Sequence, residues 1–264
     1  KWISNKIWSI IIGVKMIVKK LYTIGDSWTY GWGLPGPHIP GRNKEHAWPT
    51  LLSQEFNCEL INEAWGGAPN EWMFRKTVEW VCNQDNLDDV IVIVGWVEPN
   101  RREEVLGIPH VHGFISPHEP KEYKPFLEYH NDELAHYKSI CYMVALQEFL
   151  KSKNIKYLFY QPWYDLLGIV DAPKTLISFS FPVDGIKNII EKIDQKYCIG
   201  PVNGFTSSKE WMNFILQREG TLFGNIYETL TGNVGKWRAD HPNIEHHEIM
   251  YEVIKEKLLE IYDV

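Results

Sequence analysis

Residues Val90 to Gly95 read VIVIVG, and this run constrains the fold of the chain more than any other. Its first five residues are all β-branched, which stiffens the side chains and favours an extended backbone. A strand with one wet face alternates polar and apolar residues; a strand covered on both faces does not. The run therefore predicts a central strand of a parallel sheet with helices on both sides. The neighbouring segments agree. Ile17 to Ile24 reads as a strand ending in the turn Gly25-Asp26-Ser27, Cys58 to Asn62 as a second, and Ile155 to Tyr160 as another. Helical spacing marks His46 to Phe56, with Pro49 near its start. The same spacing marks about Asn70 to Asn83, Glu133 to Lys153 and about Glu245 to Tyr262.

Strands alternating with helices imply right-handed crossovers and an α/β fold. Sites in such sheets lie beyond the carboxyl ends of the strands. That puts Ser27, Gly66-Gly67 and the Trp96–Asn100 segment on one rim. Two regions break the alternation, 101–132 and 163–240, and both read as insertions over that rim. Residues 16–264 are expected to form a single domain, with Met16 as a natural start. Residues 1–15 read as an extension: an added strand or a tail. The apolar stretch from Ile7 to Val14 is too short for a bilayer, which takes ~20 residues. No small-residue cleavage site of a signal peptide follows it.

Composition removes several classes of function. Lys+Arg 27 against Asp+Glu 34 gives a formal charge of −7, which argues against phosphate-backbone binding. No nucleic acid partner and no stable membrane insertion are expected. Cys58, Cys82, Cys141 and Cys198 form no CxxC pair, so they read as buried thiols, leaning slightly towards a reducing interior. No GxGxxG or Walker pattern follows any strand, which weakens a nucleotide-binding reading. His110, His112 and His118 lack a carboxylate cluster and read as a solvated lid. No metal and no cofactor are expected. His246 and His247 open the last helix, where solvent exposure is the default. The chain is rich in tryptophan (Trp28, Trp32, Trp48, Trp65, Trp72, Trp96 and Trp163 among them), and several fall near the expected rim, with ordinary core packing as the default.

Two motifs carry chemistry. Gly25-Asp26-Ser27-Trp28-Thr29-Tyr30-Gly31 follows the first strand directly. A serine in such a turn presents its hydroxyl at the rim, and its own N–H can face a developing oxyanion. Glycine permits the turn, and Asp26 can bond nearby amides and hold it. At the far end, Asp240-His241-Pro242-Asn243 precedes the last helix. A nucleophilic serine needs a base, and histidine is the usual one.

Together with Asn62-Glu63-Ala64-Trp65-Gly66-Gly67 after the second strand, these motifs resemble the SGNH/GDSL hydrolase family. The resemblance extends to the order of elements over most of residues 16–262. It implies a flavodoxin-like three-layer α/β/α sandwich with long loop insertions. It also implies ester hydrolysis without a metal, with Ser27 as nucleophile, His241 as general base, and the N–H groups of Ser27 and Gly67 as oxyanion donors. Two departures stand out. The family has an oxyanion-hole asparagine where Val97 stands here, leaving Asn100 or Arg101 to reach that point. The segment from Trp96 through Pro99 to Arg101 or Arg102 instead resembles a Trp-x-x-Pro-x-Arg version found in phage-like members. The family's triad aspartate falls at Arg238, leaving either Asp240 or a backbone carbonyl behind the His241 ring.

The expectation is a serine esterase acting on a small-molecule or carbohydrate ester. The competing expectation is a non-catalytic carbohydrate-binding or virion-associated module on the same fold. Fold alone does not decide between them.

Overall fold

The computed structural model describes residues 17–36, 43–97, 99, 101–104, 111–114, 132–161, 188–199 and 242–262. Strand β1 (Lys20–Ile24) leads into a one-turn helix α1 (Ser27–Tyr30). Then come α2 (Trp48–Phe56), β2 (Glu59–Asn62), α3 (Asn70–Cys82) and β3 (Val90–Gly95). A small ribbon, β4 (Arg101–Glu104) and β5 (Val111–Phe114), precedes α4 (Asp132–Ser152) and β6 (Lys156–Tyr160). A short β7 (Cys198–Ile199) and α5 (Ile244–Tyr262) complete the described elements.

The main sheet has the order β2-β1-β3-β6-β7, and every neighbouring pair is parallel. Counted along the chain, that is the 2-1-3-4-5 order of the flavodoxin-like doubly wound fold. The chain leaves β1 for β2 on one side and then crosses to β3 on the other. The crevice between the carboxyl ends of β1 and β3 is therefore the switch point, where such folds place their sites.

β3 is buried along its whole length, as its sequence requires. Its side chains alternate between two cores. Val90, Val92 and Val94 join Tyr22, Ile24, Met73, Ile140 and Met143 under α3 and α4. Ile91 and Ile93 join Leu21, Trp48, Leu52, Leu158, Ile254 and Leu258 under α2 and α5. This makes three layers, α/β/α, as expected. At the outer edge of β6, the Tyr262 hydroxyl donates to the Tyr157 carbonyl at 2.8 Å and accepts the Tyr157 N–H at 2.9 Å.

Several local readings shift. β1 begins at Lys20, not at Ile17, which is exposed. α2 begins at Trp48, two residues later than expected, because Pro49 suits only the first turn. The β4–β5 ribbon falls in a region read as irregular, since Arg-Arg-Glu-Glu carries no strand signal. Of the cysteines, Cys198 is buried, Cys58 and Cys141 are half-buried, and Cys82 is exposed at the end of α3. Among the described residues, no helix is long and apolar enough to cross a membrane.

Candidate active site

The first loop of the rim is fixed from below. A Cβ on Gly25 would come within 2.8 Å of Thr29 Cβ and 3.4 Å of the Gly95 carbonyl oxygen. Only glycine lets the turn sit this close to α1 and β3. Asp26 is fully buried and N-caps α1, its Oδ1 accepting the Trp28 N–H at 3.0 Å. Ser27 is the first residue of α1 and is 8% exposed. Gly31 ends α1 with φ 81, the left-handed conformation that favours glycine. The Thr29 hydroxyl hydrogen-bonds the Tyr160 hydroxyl at the end of β6. Burial pushes the Tyr160 phenol well above its usual range, so it remains protonated.

The second loop hooks onto the first. Trp65 N–H donates to the Gly25 carbonyl at 3.0 Å, and Asn62 Oδ1 accepts the Ala64 N–H at 3.1 Å. Gly67 has φ 77. A Cβ on Gly66 would meet the Trp32 ring at 2.8 Å, so the indole rests directly on this loop. Trp32 N–H in turn donates to the Ser27 carbonyl at 2.9 Å. Neither the Ser27 N–H nor the Gly67 N–H has an acceptor among the described residues.

The third loop, after β3, is held by a residue the sequence reading did not single out. Asn70 Oδ1 accepts the Val97 N–H at 2.9 Å, and Asn70 Nδ2 donates to the Val97 carbonyl at 2.8 Å. The same Nδ2 lies 3.1 Å from Ser139 Oγ on α4. Val97 is fully buried, so its position in the core explains an apolar residue there. Four residues on, Arg101 Nη1 donates to Asp26 Oδ2 at 3.0 Å. Arg101 is thus engaged with the first loop. The only hint of Asn70 in the sequence is an amide opening a helix directly after Pro69.

The start of α5 reaches the same rim. Asn243 Oδ1 accepts the His246 N–H at 3.0 Å, and His246 Nδ1 accepts the Asn243 N–H at 3.2 Å. This is a capping box with histidine in the usual place of glutamate. Both His246 and His247 are buried, contrary to the exposure expected of them. His247 Nδ1 accepts the Trp48 N–H at 3.3 Å, capping α2, whose own Ala47 supplies no side-chain cap. The Trp48 ring packs edge-on to Tyr160 at 5.3 Å. Contacts thus run from α5 through His247, Trp48 and Tyr160 to Thr29, two residues from Ser27. Lys44 lies nearby, buried, donating to the Leu34 and Gly36 carbonyls at 2.9 Å and 3.1 Å. Asp240, His241, Asn100, Arg238, His110 and His118 lie outside the described residues, and His112 is described only as a backbone position in β5.

The His247 cap has a measurable consequence. Burial, then His246, then Lys44 lower its imidazole to about 3, whereas an unfolded histidine titrates at 6.5. The folded value is depressed, so the stabilisation is present above pH 6.5 and is lost as pH falls from 6.5 towards 3. Between pH 7 and pH 4.5 the loss is on the order of 2 kcal/mol. Urea unfolding at the two pH values should show the wild type losing that much more than His247→Gln, whose amide can cap without titrating. Equal losses in the two proteins would rule out His247 as the source.

Several solved structures resemble this chain at low identity. One is the acetylxylan esterase Axe2 of Geobacillus stearothermophilus, 14% identical, with a TM-score of 0.48 over 93% of this chain and 96% of that one. Another is the psychrotrophic esterase EstA from a Pseudoalteromonas species, 12% identical, with a TM-score of 0.45 over 93% and 100%. A member of the lipolytic protein G-D-S-L family from Veillonella parvula is 12% identical, with a TM-score of 0.40 over 93% and 99%. The fold assignment rests on the strand order and the two cores. No curated protein matches the chain. One family model does match, over residues 36–173, beginning just after the Gly25–Gly31 turn and spanning more than half of the 264 residues. The chain therefore belongs to DUF6071, a family of unknown function.

Proposed function

We propose that this protein is a serine esterase that hydrolyses carboxylic esters of short acyl groups, including carbohydrate O-acetyl esters, through an acyl-enzyme. The observation that carries the reading is the junction of the first two loops at the switch point. Ser27 opens a one-turn helix there, and the Gly67 loop is bonded to it through Trp65 and Gly25 at 3.0 Å.

In this reading the Ser27 oxygen attacks the ester carbonyl carbon while its proton passes to the His241 imidazole. The charge developing on the carbonyl oxygen meets the N–H groups of Ser27 and Gly67, with Asn100 as a third donor. The tetrahedral species collapses, the alcohol leaves with the proton from His241, and the acyl group stays on Ser27. Water, deprotonated by the same imidazole, then releases the acid and restores the hydroxyl. Asp240, or a backbone carbonyl, orients the imidazole. His241 is supported by its neighbour: Pro242 is buried and begins the segment that reaches the rim through His247, Trp48 and Tyr160.

The direct test is covalent. A fluorophosphonate probe should form an adduct that peptide mapping locates on Ser27. No adduct at that residue overturns the reading.

Val97 favours a second reading, a carbohydrate-binding module without turnover. It is buried where the resemblance implies a side-chain donor. Oligosaccharide binding with no hydrolysis, unchanged by Ser27→Ala, would select it.

A further inference from the structure

We propose that Arg101 is a positioning residue for Ser27, its guanidinium holding Asp26 and thereby the turn that presents the nucleophile. The inference rests on the esterase reading above and adds to it a residue 74 positions away in sequence.

The geometry carries it. Asp26 and Arg101 meet at 3.0 Å with side chains 0% and 9% exposed. An ion pair at this depth is screened little by solvent, and each charge is costly if left alone. The two Asp26 oxygens have different tasks. Oδ1 accepts the Trp28 N–H and so starts α1, whereas Oδ2 faces Arg101. Ser27 is the residue between the capping carboxylate and the amide it caps. A rotation of the Asp26 carboxylate therefore shifts the Ser27 backbone and the hydroxyl with it.

Arg101 is itself held from two directions. It opens β4, pairing with Phe114 across the ribbon. It also follows the Val97 segment, whose N–H and carbonyl are both bound by Asn70. The chain of contacts runs from α3 through the loop after β3 to the turn after β1, spanning the switch point. Where the family resemblance implies a side-chain donor from this loop, the loop instead sends a cation to the base of the nucleophile turn.

The test compares Arg101→Met, Arg101→Lys and the double variant Asp26→Asn/Arg101→Met with the wild type. Turnover of p-nitrophenyl acetate is measured well below the unfolding temperature, with Ser27→Ala as background. Arg101→Met should lower kcat about 100-fold, the cost of a misplaced reacting group, with KM changed less than about threefold. Arg101→Lys should fall between, since an ammonium restores charge without the planar fork. The double variant should recover to within about tenfold of wild type. It removes the carboxylate charge that Arg101 faces and keeps an oxygen to cap Trp28.

Each outcome decides. Wild type with no Ser27-dependent turnover overturns the esterase reading, and this inference with it. An active wild type with Arg101→Met within about threefold in kcat overturns this inference alone. So does a double variant no better than the single one, which would show general disruption. If Arg101→Met does not fold, Arg101→Lys decides: a kcat within about threefold of wild type overturns the inference, and a larger loss at little-changed KM supports it.

Discussion

Ser27→Ala is expected to lower kcat/KM for p-nitrophenyl acetate by at least about 10⁴-fold, to the rate of the uncatalysed reaction plus residual binding effects. Stability should barely change. No described residue hydrogen-bonds the Ser27 hydroxyl, so removing it orphans no described partner. The carboxylate cap from Asp26 to Trp28 and the carbonyl contacts from Ser27 to Gly31 and Trp32 are independent of the side chain. Thermal unfolding should place the variant within about 1 kcal/mol of the wild type. A stable, correctly folded variant that retains hydrolysis would show that Ser27 is not the nucleophile.

Asn70→Ala should cost about 3–4 kcal/mol of stability. The substitution deletes one amide but strands two groups, the Val97 N–H and the Val97 carbonyl; the Ser139 hydroxyl keeps its bond to the Ala135 carbonyl. Each buried, unpaired polar group costs ~1–3 kcal/mol. Asn70→Asp should do no better. A carboxylate can still accept the Val97 N–H, but its second oxygen would face the Val97 carbonyl and repel it. For a chain of this size the alanine variant corresponds to a drop in Tm on the order of 10 °C. Activity should fall as well at temperatures where the protein remains folded, because the loop that carries Arg101 loses its anchor. A loss under about 1 kcal/mol in urea would mean that the loop backbone finds other partners.

What the sequence made legible was local. The VIVIV run could only be a strand covered on both faces, and it lies fully buried between two cores. The Gly25-Asp26-Ser27 turn could be read because glycine, an Asx cap and a following helix are neighbours in sequence. What escaped reading depends on distant partners. Nothing near Arg101 signals Asp26, and nothing near Val97 signals Asn70. His246 and His247 looked like a polar helix start, the usual fate of adjacent histidines. One folds back on its own helix as a cap and the other caps a second helix, and both are buried there. Arg-Arg-Glu-Glu gave no strand signal because the β4–β5 pairing depends on register rather than propensity.

The clasp between Tyr262 and Tyr157 bears on self-association. Among the described residues, β7 pairs with Phe159 and Tyr160, and its Ile199 carbonyl accepts the Gln161 N–H. One step earlier along the same outward face, Tyr157 would present a bare donor and acceptor, an invitation to a strand from another molecule. A single phenolic oxygen satisfies both groups. The last turn of the final helix thus occupies the two groups that a strand laid against this part of β6 would need, and so withholds them from edge-to-edge polymerisation.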